Sequence, residues 1–454
     1  MERAKRVKQT GIVVCTYNKK DYVERCVQSI FDSRATDYDV IVVDNASTDG
    51  TVEMLKNVFG ERITLLCNEE NLGGSGGFNT GLRYALEQDY EYLMCVDNDV
   101  TFEADAIPVL KAFLEAHPDV GVAGSAICKM DEPDRLQCMG FSLDWDRYGT
   151  KELYGGDLYD GNLPEVVYAD MVPACSIMMR TQDVRTVGIM REEYFIYWDD
   201  GDWCLRFKAA GLKTAAIRAS RVWHKRAATT MTTNFQRYYS RRNKLDMFLR
   251  HASEEKREVL VRYALEEVYN ATSAVAIKGD EAMLKTIMYA FDDAVHHVSG
   301  KAPEYKMPPL QEDVRLRDLV KDVQEIRFLF NGDYFALSKN LEKIRKVNPE
   351  VQVTIDVSRC PEESDKLTVQ HPTCRVDDGQ QHTTDTSGSG TEQQALLLNM
   401  CPHIFAVEDA ERNGVYIDAW TNLLITEDEF FMARGQRAGR EMFVRMWTPV
   451  VMGR

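Results

Sequence analysis

Asp97, Asn98 and Asp99 follow directly on the apolar run YLMCV. On extended backbone, side chains two residues apart share a face, so both carboxylates can reach one divalent cation. Hard oxygen ligands suit Mg²⁺ or Mn²⁺. A solvated turn is the competing reading, because Asp and Asn are ordinary turn residues. Further along, YWDDGDWCLR sets Asp199, Asp200 and Asp202 between Trp198 and Trp203. A helix start uses one such acid as its N-cap, which leaves two needing another reason. A carboxylate crowded by like charges and aromatic surface is pushed to higher pKa, which suits a general base. The indoles offer flat apolar faces of the kind that pack on sugar rings, although Trp203 reads better as core. His224, in VWHKR, is either a hydrogen-bonded structural histidine or a further ligand to a cation held by the acid pair.

The stretch NLGGSGGFNTG, Asn71 to Gly81, holds five glycines in eleven residues. Glycine weakens helix and strand interiors, so such a cluster marks a flexible loop or a close approach of backbone to something else. The elements that must hold these groups come from the first 125 residues. GIVVC (11–15), DVIVVD (39–44), ITLLC (63–67), YLMCVD (92–97) and VGVAG (120–124) are short, apolar and β-branched, as buried parallel strands should be. Helical stretches near 21–33, 49–59, 78–88 and 103–117 separate them. That alternation predicts an α/β fold, a Rossmann-like open and mostly parallel sheet with flanking helices. Ligands of such sheets bind beyond the carboxyl ends of the strands, where CTYN, VDNAS, the glycine loop and VDNDV all fall.

Residues 126–230 are less regular, and from about 234 the pattern turns helical. Phe235, Tyr238, Tyr239, Leu245, Phe248 and Leu249 share one helical face. Amphipathic stretches near 254–278 and 281–298, a linker at 301–309 and more helix to about 347 follow. VQVTIDV reads as a strand and 377–394 as a mobile polar loop. The expected organisation is a catalytic domain over 1–230, a helical region packing on it over 231–350, and a mixed extension of open role over 351–454.

Composition bounds the partners. The net charge of −17 argues against general nucleic-acid binding. Between Arg221 and Arg250, however, eight Lys or Arg face one Asp, and Arg237, Arg241 and Lys244 share a helical face. This is either a solvated basic face or a screen for a diphosphate. Residues 432–447, basic and apolar by turns, would rest on an anionic membrane surface or cap the fold. No apolar run is long enough to span a bilayer, and the basic start lacks the cleavage site of a signal peptide. Eleven cysteines without a CxxC pair, mostly in apolar runs, read as reduced buried thiols. A cytoplasmic protein is expected, with peripheral contact at the inner face of the plasma membrane and self-association both open.

Taken in order, VVCTYNKKDYVERCVQSI, IVVDNAS, NLGGSGGFNTG, VDNDV and FIYWDDGDWCLRFKAAG resemble the landmarks of family-two, inverting glycosyltransferases of the GT-A fold. The resemblance covers roughly residues 8–245 and is strongest toward bacterial galactofuranosyltransferases, with rhamnosyltransferases close behind. It implies a GT-A catalytic domain followed by a mainly helical region, and a metal-dependent hexosyl transfer in cell-surface polysaccharide synthesis. Asp97 and Asp99 match the metal-binding DxD element, with Asp97 also holding the nucleotide sugar, and His224 matches the metal-binding histidine. Asp200 matches the general base, and Trp198 and Asp199 would line the acceptor pocket. Thr16, Tyr17, Asp44 and Asn45 match the nucleoside-binding edge. The loop carrying Asn71, Gly73, Gly74 and Gly77 would pass close to the donor diphosphate, with Asn79 opening the next helix toward it. Mn²⁺ or Mg²⁺ is the implied cofactor, and a glycan or lipid-linked molecule the acceptor. The implied donor is UDP-galactofuranose, with dTDP-rhamnose the alternative. Asn98 stands where the galactofuranosyl enzymes carry a third acid, and the ten residues before the first strand leave no room for their leading β-rich domain, so polymerisation is not implied. A nucleotidyltransferase would carry a glycine- and arginine-rich loop after its first strand, and a glycoside hydrolase needs no metal site. A non-catalytic nucleotide-sugar binding protein would keep Asp97 and Asp99 but has no use for the acids at 199–202.

Overall fold

The computed structural model describes residues 9–225, 233–278, 280–309, 314–377, 395–401, 415–418, 423–426 and 437–453. Four strands form its parallel centre: β1 (Thr10–Thr16), β2 (Tyr38–Asp44), β3 (Ile63–Cys67) and β4 (Tyr92–Asp97). Helices α1 (Lys20–Phe31), α2 (Thr51–Phe59) and α3 (Gly73–Leu86) join them. The apolar runs become strands because both of their faces are covered; Ile12, Val13, Val14, Ile41, Val42 and Val43 are wholly buried. Helix α1 turns Val23, Cys26, Val27 and Ile30 inward at spacings of three and four.

The strand order β3-β2-β1-β4 means that the chain leaves β1 in one direction and later returns on its other side. The crevice beyond the carboxyl ends of β1 and β4 is therefore the topological switch point, where open sheets bind ligands. The chain continues through β5 (Val100–Phe102), α4 (Ala106–Ala116), β6 (Val120–Lys129), β7 (Leu136–Cys138), β8 (Phe141–Asp144), β9 (Gly149–Glu152) and β10 (Val166–Ala169). It closes with β11 (Ser176–Arg180), α5 (Thr181–Val187), α6 (Asp199–Ala209) and β12 (Lys213–His224). Strand β11 enters antiparallel between β4 and β6, and β12 lies parallel to β6. The short β5 pairs antiparallel with the end of β12, setting His224 opposite Val100.

One expectation is corrected here. The glycine stretch is not a loop before a helix at 78; helix α3 starts at Gly73. Gly73 has φ +76°, and a Cβ there would stand 2.0 Å from the Phe195 carbonyl oxygen. A Cβ on Gly77 would meet Cys15 Sγ at 2.4 Å, and one on Gly81 would meet Val13 Cγ1 at 2.3 Å. These two glycines let α3 lie directly on β1 and β2.

By compactness the chain divides into Met1–Ala228 with Tyr239–Leu260 and His296–Ala302, and Thr229–Tyr238 with Val261–Val295 and Pro303–Arg454. Helices α7 (Asn234–His251), α8 (Glu254–Lys278) and α9 (Glu281–Val295) realise the helical pattern expected from 234. Beyond them stand α10 (Val314–Val320), β13 (Glu325–Leu329), α11 (Tyr334–Val347), β14 (Gln352–Asp356), α12 (Ser364–Gln370), β15 (Arg375–Asp377), β16 (Leu396–Cys401), β17 (Val415–Asp418) and β18 (Leu423–Thr426). They build a second sheet, ordered β15-β14-β13-β16-β17-β18, parallel except for its last pair. Residues 325–329, expected as helix, are thus a strand: Ile326 and Phe328 are buried in the core while Glu325 and Arg327 alternate with them. The expected boundary at 350 falls between α11 and β14, inside this sheet's own connections. The closing helix Arg437–Met452 packs Phe443 and Trp447 on Tyr269 and Phe291, which caps the second unit. Of the segments read above as a mobile loop and a basic apolar stretch, 378–394 and 432–436 lie outside the described residues.

Lys339 on α11 is a cost within this unit. It is 8% exposed, and burial, with the like charges of Lys343 and Arg237, pushes its ammonium from 10.5 down to about 7. A lysine whose folded pKa is depressed destabilises the fold fully below that pKa, and the penalty fades as pH climbs toward the unfolded value. Lys339→Met is expected to stabilise the protein by about 1–3 kcal/mol in mild acid, with the gain shrinking toward about pH 10. Thermal melts across that range check the sign; a gain that grows with pH would contradict it.

Candidate active site

Strand pairing carries His224 to the acid pair. Because β5 begins one residue after Asp99 and pairs with the end of β12, the imidazole Nε2 stands 3.1 Å from Asp99 Oδ1. The other ring nitrogen, Nδ1, is 3.1 Å from Gln137 Oε1. Donation from Nδ1 to Gln137 fixes the ring and leaves Nε2 facing the acids. The Asn98 amide donates to Thr16 Oγ1 at 3.0 Å and ties the triplet to the end of β1. Thr16 itself is 1% exposed, whereas Tyr17 next to it is 43% exposed and stands open at the crevice edge.

The acids at 199–202 divide in two. Asp202 is fully buried, hydrogen-bonded to Arg206 Nε at 2.8 Å and His251 Nε2 at 2.9 Å, and ion-paired with Arg191 Nε at 3.2 Å. Those partners hold its carboxyl below the usual range against the opposing effect of burial, so it is structural. Trp203 is core, its indole N–H donating to Gly188 O at 2.8 Å. Among the described residues, Asp199 and Asp200 have no cationic partner. Asp200 accepts from the backbone N–H of Gly201 at 2.8 Å and Ala174 at 3.4 Å, yet burial still raises its pKa. Burial and the Asp200 charge push Asp199 up as well. Asp97 is raised by burial and by Asp99, with His224 opposing. Acids from two segments therefore stand close together, with no balancing lysine or arginine among the described residues.

A divalent cation fits that deficit. An Asp97 oxygen, Cys175 Sγ and a His224 nitrogen all lie within 4.8 Å of one another, and oxygen with imidazole suits Mn²⁺. Cys175 was not singled out in the sequence, where its apolar setting, VPACSIMM, carries no ligand signal.

Three asparagines expected near the nucleotide, Asn45, Asn71 and Asn79, make hydrogen bonds within the fold. Asn45 is 2% exposed. Its amide donates to Asn71 Oδ1 at 3.0 Å and Gly73 O at 2.9 Å. Its oxygen accepts from Asn68 Nδ2 at 2.9 Å and Leu72 N at 3.0 Å. All its bonding capacity is spent anchoring α3 to β2. Asn71 shares that task by accepting from Gly73 N at 2.8 Å. Asn79, 1% exposed, clasps the 190–192 segment through Met190 N and O and the Glu192 carboxylate. Gly74 differs from its neighbours: a Cβ there would lie 3.7 Å from Asp199 Oδ2, in ordinary contact at the edge of the acid pocket. Asp44 is 2% exposed, with Oδ2 accepting from Ser47 N at 2.9 Å and Oδ1 buried without a partner among the described residues. An orphaned acceptor at the end of β2 is a polar group that awaits a donor.

The backbone before α6 is strained. Phe195, Tyr197 and Trp198 have φ of +65°, +66° and +69°, a region costly for residues with side chains. Asn243 on α7 clamps this turn, its amide reaching the carbonyls of Tyr194 at 2.8 Å, Ile196 at 2.8 Å and Tyr197 at 3.0 Å. Arg242 adds a bond to Tyr194 O at 3.1 Å. The clamp aims Trp198, whose half-buried ring meets Phe248 edge-on, together with Asp199 and Asp200. Asn243→Ala is expected to cut turnover more than about tenfold through misplaced acids, with nucleotide affinity nearly unchanged. Steady-state kinetics beside calorimetry decide, and unchanged turnover would refute the clamp.

Residues 11–180 match the family model described as "Glycosyl transferase family 2". The chain carries a family 2 glycosyltransferase domain. Galactofuranosyltransferase GlfT2 of Mycobacterium tuberculosis is 25% identical over 217 residues, 44% of this chain and 34% of that protein. The dTDP-rhamnosyl transferase RfbF of Shigella flexneri is 25% identical over 213 residues, 47% of this chain and 67% of its own. The match spans about a third of the galactofuranosyltransferases. Among solved structures, TarS 1–349 of S. aureus aligns at TM-score 0.43 and 14% identity, covering 75% of this chain and 90% of its own.

Proposed function

We propose that the protein is an inverting glycosyltransferase that moves a sugar from a nucleotide-sugar donor to a hydroxyl acceptor. The observation that carries this reading is His224, 3.1 Å from Asp99 and grouped with Asp97, beyond the carboxyl ends of β1 and β4 of a family 2 domain. Asp97, Asp99 and His224 would hold Mn²⁺ or Mg²⁺. A bound divalent cation supplies neutralising charge to the phosphates of a departing nucleoside diphosphate. Asp44, with its orphaned buried oxygen, and the open ring of Tyr17 suit the nucleoside.

Asp200 accepts the proton of the acceptor hydroxyl. Its raised pKa strengthens it as a base, and its two backbone N–H donors keep it oriented. The acceptor oxygen attacks the anomeric carbon from the face opposite the diphosphate, which inverts that centre without a covalent enzyme intermediate. Trp198 offers the acceptor sugar an apolar face, and Asp199 offers hydroxyl contacts.

Galactofuranose from UDP-galactofuranose is the donor sugar this reading favours, on the likeness to the mycobacterial galactofuranosyltransferases. The likeness to RfbF supports rhamnose from dTDP-rhamnose as the second reading. A release assay tests both: purified protein with Mn²⁺ and an acceptor pool is offered each donor, and liberated nucleotide is measured. Release from one donor, lost on chelation, is expected. Donor binding without release from any would assign the chain to sensing instead.

A further inference from the structure

We propose that the thiol of Cys175 is a ligand of the cation site, making it a mixed oxygen, nitrogen and sulfur site that discriminates against Mg²⁺. This rests on the cation-assisted transferase reading above. Cys175 immediately precedes β11, which runs antiparallel beside β4 with Ser176 opposite Val96. The Asp97 N–H donates to the Cys175 carbonyl at 3.1 Å, so the two residues are locked side by side by backbone. Cys175 Sγ, an Asp97 oxygen and a His224 nitrogen stand within 4.8 Å of one another. Ligand atoms about 2.0–2.3 Å from a shared metal lie roughly 3–4 Å apart, a spacing close to the spread of these three atoms.

Two other buried thiols near the site donate to carbonyls: Cys26 to Asp97 O at 3.4 Å and Cys204 to Val172 O at 3.8 Å. Cys175 instead is 2% exposed and surrounded by the carboxylates of Asp97, Asp99 and Asp200. A sulfur in that company gains nothing from ionising alone. With a cation present it gives its proton to solvent and donates as thiolate. Thiolate and imidazole prefer borderline transition metals, whereas Mg²⁺ wants oxygen at six positions. The site would therefore take Mn²⁺, Co²⁺ or Zn²⁺ ahead of Mg²⁺.

Co²⁺ titration of the full chain tests this, because a sulfur ligand to cobalt produces a near-ultraviolet charge-transfer band that oxygen and nitrogen ligands do not. Affinity is measured in parallel by calorimetry, for Co²⁺ and for Mg²⁺. The unaltered chain should show the band. Cys175→Ser, and Cys175→Ala as a second variant, should lose it and bind Co²⁺ about tenfold or more weakly, with Mg²⁺ affinity little changed. Asp97→Asn and His224→Ala should abolish binding. Co²⁺ bound in a manner sensitive to Asp97 and His224 but without the band, or a band that survives in both Cys175 variants, would overturn the sulfur ligand and leave the transferase reading intact. Co²⁺ binding indifferent to Asp97 and His224 would overturn the cation site and the sulfur ligand together.

Discussion

Asp200→Asn is expected to lower turnover by about 10²–10⁴-fold while nucleotide binding stays within a few-fold. The asparagine oxygen can still accept from Gly201 N or Ala174 N, so the turn before α6 keeps its shape. The same substitution should not destabilise the fold. Burial raises the pKa of Asp200, so its native form holds a proton more tightly than the unfolded chain does. Such a group costs stability as pH rises above the unfolded carboxylate pKa, and the cost is complete above the folded one. Removing the charge therefore leaves the melting temperature equal or higher at neutral pH, with the difference vanishing in acid. Collapsed turnover with unchanged or improved stability separates a base from a strut. Normal turnover would remove Asp200 from the mechanism.

Gly77→Val should produce the largest structural loss. Its Cβ would meet Cys15 Sγ at 2.4 Å and Asn45 Nδ2 at 3.1 Å, and neither neighbour can yield. Cys15 is on β1, and Asn45 has all four of its bonds engaged. Overpacking of this kind costs about 1–3 kcal/mol before the lost asparagine network is added, a large part of a typical margin of about 5–15 kcal/mol. A markedly lower melting temperature or insoluble protein is expected. Gly74→Ala should melt normally, because its Cβ meets nothing closer than 3.7 Å. Equal melting of the two variants would mean that α3 does not lie on β1 as described.

The difference between these two glycines marks what the sequence could and could not convey. The parallel strands were legible because burial on both faces leaves unbroken apolar runs, as in GIVVC and DVIVVD. The start of α3 was not, because glycine propensity argues for a loop while packing against β1 and β2 demands the absence of side chains. Strand β13 was missed for a related reason: five residues flanked by helices carry too short an alternation to override their surroundings. In the site, acidic and aromatic residues could be named from type and spacing alone. Their partners could not. That Asn45 and Asn79 face inward, that Asp202 is consumed by Arg191, Arg206 and His251, and that Asn243 and Cys175 belong to the site are consequences of contacts between segments far apart in the chain. Only the β5–β12 pairing explains why His224, 125 residues beyond Asp99, can touch it.

The most direct test of the account is diffraction from crystals grown with Mn²⁺ and a nucleoside diphosphate, using the anomalous signal of manganese to find the ion. The account predicts a peak bonded to Asp97, Asp99 and His224, with the diphosphate on the ion's open side and the Asp200 carboxylate facing the space beyond it. Nucleotide bound elsewhere on the chain, or bound at this crevice with manganese held by other residues, would contradict it.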